Sequence, residues 1–153
     1  MFMFIQNSAA YYRSSAELLN FLQPLALLAA RFYVGWVFFA AGLTKIDDWE
    51  TTLWLFEEEY SVPFLPFELA AALGTGGELI LPILLFIGLA TRFSALGLSI
   101  VNIVAVISLE DIAPAAMTLH VLWGALLAQL VVFGSGKASL DFWARKIPVF
   151  NKS

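Results

Sequence analysis

The stretch LAARFYVGWVFFAAGLTK, residues 28–45, decides the fold of this chain. It carries Arg31 near one end and Lys45 at the other, with no charged residue between them. Its length and apolar character are those of a membrane-spanning helix, which needs roughly 20 residues. An arginine that faces lipid costs about 3 kcal/mol on insertion scales. We therefore expect Arg31 to face the interior of a helical bundle.

The composition of the whole chain agrees with a membrane location. Of its 153 residues, 61% are hydrophobic and 13% are charged, which is far outside the usual range for a soluble domain. Four segments are apolar enough to be spans, at about Leu25 to Leu43, Phe67 to Leu89, Phe93 to Leu109 and Ala115 to Phe133. We predict an all-α integral membrane four-helix bundle with short interfacial amphipathic helices, and a single domain over residues 1–153.

The distribution of charge predicts the orientation of the bundle, because Lys and Arg are retained near the span ends on the cytoplasmic side. Most of the basic residues fall on one side of the four predicted spans. These residues are Arg13, Arg92, Lys137, Arg145, Lys146 and Lys152. The segments on the other side, around residues 47–59 and 110–111, are acidic. We therefore expect both termini to lie in the cytoplasm.

Three segments outside the spans are predicted to form interfacial helices. The segment 49–60 has an apolar stripe at helical spacing and should lie on the outer surface. The stripe consists of Trp49, Leu53, Phe56 and Tyr60. On the inner side, Ser14 and Glu17 have the spacing of a capping box and predict the start of a short helix before Pro24. The tail has an apolar stripe beside basic residues, which is typical of a segment held on an anionic leaflet. That stripe consists of Leu140, Trp143 and Ile147.

One face of the first span gathers its two charges and two glycines, because residues three, four and seven apart share a helix face. The residues of this face are Arg31, Gly35, Phe38, Gly42 and Lys45. Glycines allow the backbone of a neighbouring helix to come close. This face is therefore expected to pack against another span.

The second span carries the acidic residues that could meet those charges. Glu78 lies near its middle, after a glycine-rich turn and four residues before Pro82, which lacks the N–H that would bond the Glu78 carbonyl. The glycines permit either tight packing or a locally unwound segment. We predict that Arg31 and Glu78 form an interior ion pair, directly or through a bound polar group, because unpaired charges are costly in hydrocarbon. Glu68, at the outer start of this span, is expected to meet Lys45.

Two further polar residues complete the candidate site. Asn102 lies in the middle of the third span, where an interhelical hydrogen bond is the simpler interpretation. His120 lies in the outer half of the fourth span, and a histidine there can be a bonded core residue, a ligand or a proton carrier. One histidine and no cysteine cannot supply a zinc site or a bis-histidine haem, so we expect no metal site. The candidate ligand-binding residues are Arg31, Lys45, Glu68, Glu78, Asn102 and His120.

In combination, these features resemble the DoxX-like family of small four-helix bacterial inner-membrane proteins. The resemblance covers about residues 25–133. It rests on the Arg31–Lys45 face, on VPFLP at 62–66, on Glu78 and on LPILLFIGLATRFSALGL at 81–98. It implies a subunit role, because members are linked to quinone-coupled oxidation of small sulfur compounds and to oxidative-stress complexes. A soluble catalytic domain is not evident in this sequence and would have to come from another chain.

The resulting hypothesis is the membrane subunit of a redox or small-molecule-handling system whose interior polar cluster binds a polar headgroup, such as a quinone ring or a small anion, with a quinone as the candidate cofactor. In it, Arg31 clamps a polar headgroup, Glu78 pairs with Arg31 and accepts a proton, and His120 donates to a carbonyl oxygen. Two alternatives stay open: a non-enzymatic assembly or scaffold protein, and a small permease that uses the glycine-rich segment beside Glu78. The expected surroundings are the lipid bilayer of the bacterial cytoplasmic membrane, a soluble or membrane oxidoreductase partner chain and a second copy in a homodimer. We expect no nucleic acid as a partner.

The predicted orientation can be tested with fused reporters. A reporter fused after Ser153 should give a cytoplasmic signal, and one inserted near Glu58 should give an exported signal, because the flanking basic residues hold their segments inside. Each position would carry, in separate fusions, a reporter active only inside and one active only outside. Reversed signals at both positions would overturn the orientation.

Overall fold

The chain folds into α-helices joined by short connections. The structure, a computed structural model, describes residues 2–136, 139–144 and 146, with side chains for residues 16, 17, 19–136, 139–144 and 146. The helices are α1 (Phe2–Asp47), α2 (Trp49–Glu58), α3 (Phe67–Ile87), α4 (Thr91–Ile107), α5 (Pro114–Phe133) and α6 (Leu140–Ala144). The described residues contain no strand, and the predicted all-α class is confirmed.

The first helix is longer than expected. α1 runs without a break for 46 residues and contains Pro24, so the prediction of a separate short helix that begins at Ser14 is wrong. Capping-box spacing marks a helix start only where the preceding chain leaves the helix, and here the helix already includes that segment. Proline inside a long apolar helix removes one backbone hydrogen bond, and membrane helices tolerate this loss.

The four predicted spans fall on α1, α3, α4 and α5. Three helical segments are long and apolar enough to cross a membrane: Leu19–Asp47 within α1, all of α3 and all of α5. α4 is apolar but has 17 residues, which gives about 25 Å at 1.5 Å per residue. This is slightly less than the hydrocarbon thickness of about 30 Å. The predicted four-helix membrane bundle is confirmed.

The four apolar helices pack in the cyclic order α1, α3, α4 and α5, and α5 closes the bundle against α1. Their interior is filled mainly by aliphatic side chains and one phenylalanine. The buried core consists of Leu27, Val34, Phe38, Leu85, Ala95, Leu98, Leu127 and Leu130. Large apolar side chains on the opposite helix faces are exposed, among them Ile80, Ile83 and Ile87 of α3. Such an outer surface suits contact with lipid.

Two glycines on the predicted face of α1 let it approach α3. A Cβ at Gly35 would lie 2.8 Å from Phe86 Cε1, and one at Gly42 would lie 2.9 Å from Leu79 Cδ2 and 3.1 Å from Glu78 Cβ. Because the helices are antiparallel, Gly42 lies beside Glu78 while Gly35 lies beside Phe86, two turns further along α3. These contacts set the axial register of α1 against α3.

α2 lies across one end of the bundle, which we call the Lys45 end and which is the predicted outer end. The Asp48 carboxylate caps α2 by accepting a backbone hydrogen bond from its first turn at 2.9 Å. Thr52 Oγ1 donates to the Lys45 carbonyl at 2.9 Å. Beyond α2, the Ser61 N–H donates to the Ser108 carbonyl at 2.8 Å. These bonds hold the connection between α1 and α3 over the mouth of the bundle.

The opposite end, which we call the Arg31 end, is closed by the chain that follows α5. Arg31 is only 2% exposed and donates through Nη1 to the Ser135 carbonyl at 3.3 Å. Gly88, in the turn after α3, has a φ of +69°, and a Cβ there would lie 2.7 Å from Arg31 Nη1 and 2.6 Å from Ser139 Cβ. The turn therefore needs glycine for both its conformation and its contacts.

Asp141 of α6 completes this end of the bundle. Its carboxylate accepts the backbone N–H groups of Ala90 and Thr91 at 2.8 and 2.9 Å. These groups belong to the start of α4, where an acidic group is favourable. Arg31 and Asp141 are close enough to attract each other. The C-terminal segment is thus joined to both α1 and α4.

The predicted tail stripe is described only in part. Leu140 and Trp143 are 50% and 61% exposed, and the Lys146 ammonium lies 4.9 Å from the Trp143 ring centroid. Several residues used to predict the orientation and the tail lie outside the described side chains: Arg13, Lys137, Arg145, Ile147 and Lys152.

The contact at Gly42 predicts a specific loss of stability. Gly42→Ala should lower the melting temperature in detergent, because the new methyl group would meet both Leu79 and Glu78. Gly76→Ala is the matched control: apart from its chain neighbours and its own helical backbone, no atom of the described residues lies within 4 Å of a Cβ at Gly76, and alanine favours the helix by roughly 1 kcal/mol over glycine. We expect Gly76→Ala to leave the melting temperature unchanged or to raise it. Equal effects of the two substitutions would contradict the proposed register.

Candidate functional site

A cavity of about 550 Å³ opens inside the Lys45 end of the bundle. Residues of α1, α2, α3, α4 and α5 and of the connections after α2 and α4 contribute to its wall. Most of the lining is aliphatic or aromatic. The polar side chains in the wall are Lys45, Tyr60, Glu78, Ser108, His120 and Trp123. A mostly apolar cavity with a few polar groups is the usual form of a small-molecule site.

An ion pair between Lys45 and Glu78 forms one polar part of the wall. Lys45 Nζ donates to Glu78 Oε2 at 2.5 Å, and the side chains are 23% and 9% exposed. The register set by Gly42 places the Glu78 carboxylate within reach of the last turn of α1. In an apolar environment, each charge reduces the free-energy cost of burying the other.

The predicted ion pair between Arg31 and Glu78 is therefore wrong. Arg31 is fourteen residues before Lys45 on α1, about 21 Å away at 1.5 Å per residue, and it lies beside Gly88 rather than Glu78. The prediction identified the correct helix face but the wrong axial position. Counting depths along separate helices could not reveal which residues of two antiparallel helices are level.

Tyr60 contributes a hydroxyl-bearing side chain to the wall of the cavity. Its ring packs edge-on against Phe56, with the centroids 5.0 Å apart, and both side chains line the cavity. Burial raises the pKa of Tyr60, and the negative charges of Glu59 and Glu78 raise it further. The phenol therefore stays protonated at neutral pH and can donate a hydrogen bond. Of the predicted stripe on α2, Leu53, Phe56 and Tyr60 are half-buried, whereas Trp49 is 37% exposed.

His120 and Asn102 form a two-bond contact between α5 and α4. Asn102 Nδ2 donates to the His120 carbonyl at 3.0 Å, and Asn102 Oδ1 lies 2.8 Å from His120 Nδ1. Asn102 is 5% exposed. The imidazole lines the cavity, and its ring packs edge-on against Trp123 with the centroids 4.9 Å apart. The interhelical bond expected of Asn102 is thus made to a residue of the cavity wall.

The structure brings together only some of the candidate residues named from sequence. Lys45, Glu78 and His120 line the same cavity, and Asn102 lies directly behind His120. Arg31 belongs to the opposite end of the bundle. Glu68 is exposed and is not part of the cavity wall. The expected contact of Glu68 with Lys45 is wrong, because Glu78 takes that position.

Two aromatic residues of the wall that carry a polar group, Tyr60 and Trp123, were not among the candidates. Tyr60 was predicted only as part of the apolar stripe of segment 49–60, and in the structure it lies two residues beyond the end of α2. Trp123 follows His120 by three residues on α5, so the two side chains share a helix face. That spacing was visible in the sequence. The side of α5 that faces the cavity was not.

The described part of the chain contains no group of three or more His, Cys, Asp and Glu side chains arranged to hold a metal ion. The polar groups of the cavity instead offer hydrogen-bond donors and acceptors. Lys45 and Tyr60 can donate, and Glu78 and a neutral His120 can accept. This arrangement can bind an uncharged organic molecule that carries oxygen atoms.

Comparison with known proteins gives the family of the chain. The family model described as DoxX matches residues 26–111, which includes Lys45, Glu78 and Asn102 and ends before His120. A protein of Haemophilus influenzae (strain ATCC 51907 / DSM 11121 / KW20 / Rd), described as an uncharacterized protein, is 36% identical over 133 residues. The match covers 80% of this chain and 85% of that protein. No solved structure gives a significant match. Since the family model covers more than half of the chain and the bundle has the apolar helices of a membrane protein, the chain belongs to the DoxX family of bacterial membrane proteins.

Proposed function

We propose that this protein is the membrane subunit of a redox system and that its cavity binds the headgroup of a quinone-class molecule. One observation carries the proposal: a cavity of about 550 Å³ combines apolar walls with the Lys45–Glu78 pair, Tyr60 and His120. Sites for small organic ligands commonly have volumes of about 300–1,000 Å³. A substituted six-membered ring with two oxygen atoms matches this size and polarity.

The polar groups suit the two oxygens of such a ring. Lys45 Nζ remains able to donate hydrogen bonds beyond its bond to Glu78, because an ammonium group has three N–H donors. Tyr60, in the cavity wall, supplies a protonated hydroxyl. In this role Lys45 replaces Arg31 as the cation beside the headgroup, and Glu78 holds the Lys45 side chain in position.

The apolar surroundings favour a ligand that comes from the bilayer. Phe38, Val101 and Val104 line the cavity and would contact the faces and substituents of the ring. Leu73 and Ile100 also belong to the wall, although each is 57% exposed on the outer surface of the bundle. Side chains that border both the cavity and the lipid-facing surface support a hydrophobic ligand. The redox chemistry itself is assigned to a soluble or membrane oxidoreductase partner chain.

A scaffold role is the second candidate, and the Arg31 end favours it. There Arg31, Asp141 and the Gly88 turn join α1, α4 and the C-terminal segment through a compact set of contacts. If the Lys45–Glu78 pair likewise only joins α1 to α3, the interior charges hold the bundle together without binding a ligand. The permease alternative has less support, because α3 is helical throughout Phe67–Ile87 and lacks the broken segment that such a site requires.

Ligand binding can be measured with a short-chain 1,4-benzoquinone. Titrated into the protein in lipid nanodiscs, it should quench a saturable part of the tryptophan fluorescence, because Trp123 lines the cavity. Ala105→Phe, which adds a ring at the cavity wall, should weaken binding about tenfold or more, equivalent to about 1.4 kcal/mol. Ala125→Phe, at an exposed position of α5, is the matched control and should leave binding unchanged.

The source of the fluorescence change can be identified by single replacements. Trp123→Phe should remove most of the saturable quenching, whereas Trp54→Phe, at a position that is 53% exposed, should retain it. A wild-type protein that shows only linear, unsaturable quenching would refute the proposed function.

A double-mutant cycle at Lys45 and Glu78 separates ligand binding from scaffolding. Lys45→Leu and Glu78→Leu should each lower stability, by roughly 3 kcal/mol at most, because each leaves one charge in an apolar setting. The double variant should be more stable than either single variant, because no isolated charge remains. Stability would be followed by melting in detergent and binding by the fluorescence titration. If the folded double variant binds the quinone as tightly as the wild type, the pair serves only to hold the bundle together.

A further inference from the structure

The contact between Asn102 and His120 fixes which nitrogen of the imidazole carries a proton. Asn102 Nδ2 lies 3.0 Å from the His120 backbone carbonyl, which can only accept a hydrogen bond. The amide group is therefore oriented with Nδ2 toward that carbonyl and Oδ1 toward the ring. Oδ1 can also only accept, and it lies 2.8 Å from Nδ1. Nδ1 must donate, so it is the protonated nitrogen.

This arrangement leaves the other ring nitrogen as an acceptor. A neutral imidazole has one N–H group and one nitrogen with a free lone pair. Here the N–H group donates to Asn102 Oδ1. Nε2 makes no hydrogen bond to any residue that the structure describes, while the ring lines the cavity. The donor role expected for His120 toward a carbonyl oxygen is thus wrong for the neutral side chain. Toward the cavity, His120 presents a lone pair.

We infer that Asn102 is a specificity-determining positioning residue that holds His120 in the Nδ1–H tautomer. As a result, the cavity selects a ligand that places a phenolic or hydroquinone-type hydroxyl beside Nε2 over one that places a bare carbonyl there. A hydroxyl can donate to Nε2 and still accept from Lys45 or Tyr60. A carbonyl can only accept and would place its oxygen lone pairs against that of Nε2. The inference takes its ligand class from the proposed function and adds the redox form that the site prefers.

The tautomer can be observed directly, because His120 is the only histidine in the chain. Protein labelled with ¹⁵N-histidine, in lipid nanodiscs at neutral pH and without ligand, would be studied by NMR. The wild type should show a proton on Nδ1 and an unprotonated Nε2. Asn102→Leu should allow the Nε2–H form to appear. Gln129→Leu, which removes another amide from the same bundle at a half-buried position of α5, is the matched control and should keep the wild-type pattern.

The preference for a hydroxyl is tested by binding. A short-chain 1,4-benzoquinone and its hydroquinone would be titrated separately without oxygen, with calorimetry as the readout so that both are measured alike. The wild type and Gln129→Leu should bind the hydroquinone about tenfold more tightly than the quinone. In Asn102→Leu this ratio should fall toward one, because an Nε2–H group can donate to a carbonyl. A change in both affinities with the ratio preserved would indicate a purely structural role of Asn102 and overturn the inference.

The two measurements also separate this inference from the proposed function. A wild-type spectrum with the proton on Nε2 overturns the inference even if the quinone binds. Equal affinities for the two probes overturn the specificity role even if Nδ1 carries the proton. If neither probe binds, the proposed function fails together with the specificity that depends on it, while the spectrum still decides the tautomer.

Discussion

The close approach of α1 to α3 at Gly42 is the contact on which the rest of the structure depends. With no Cβ on Gly42, the α1 backbone can lie against Leu79 and Glu78. This approach fixes the axial register of the two antiparallel helices and brings Lys45 to the Glu78 carboxylate. The same register carries Arg31 to the turn at Gly88. Unpaired charges are costly inside a membrane. The close packing at Gly42 therefore matters, because it determines which charged side chains can meet and pair.

The bundle has a different polar network at each end, with the aliphatic core between them. At the Arg31 end, the carboxylate of Asp141 caps α4 and the Arg31 guanidinium bonds to the Ser135 carbonyl. These contacts join segments that are distant in sequence. At the Lys45 end, the polar groups surround open space instead of filling it. Two basic residues on one helix face therefore have different surroundings. Arg31 is bonded to the C-terminal segment, whereas Lys45 lines a cavity.

The apolar wall of the cavity strengthens the few polar interactions that it contains. A low local dielectric makes each hydrogen bond stronger and raises the free-energy cost of each unpaired polar group. Asn102 influences the cavity without lining it, since both of its hydrogen bonds go to His120. Such support from behind the wall is common where a ligand must be oriented. Membership of the DoxX family establishes a membrane protein. The proposal of a quinone-class ligand joins what the family resemblance implies to the size and polarity of the cavity.

The sequence by itself determined the membrane class, the four apolar helices, the family resemblance and the shared face of Arg31, Gly42 and Lys45. The membrane class, the helices and the shared face follow from composition and from the 3.6-residue period, which act within one helix, whereas the family resemblance rests on particular motifs. Sequence also named Glu78, Asn102 and His120 as candidates, since polar residues in spans are rare. Only the tertiary structure decided that Glu78 meets Lys45, that Asp141 caps α4, and that Tyr60 and Trp123 belong to the cavity. Periodicity tells which face a residue occupies, whereas the axial offset between two helices depends on packing contacts that no single segment contains.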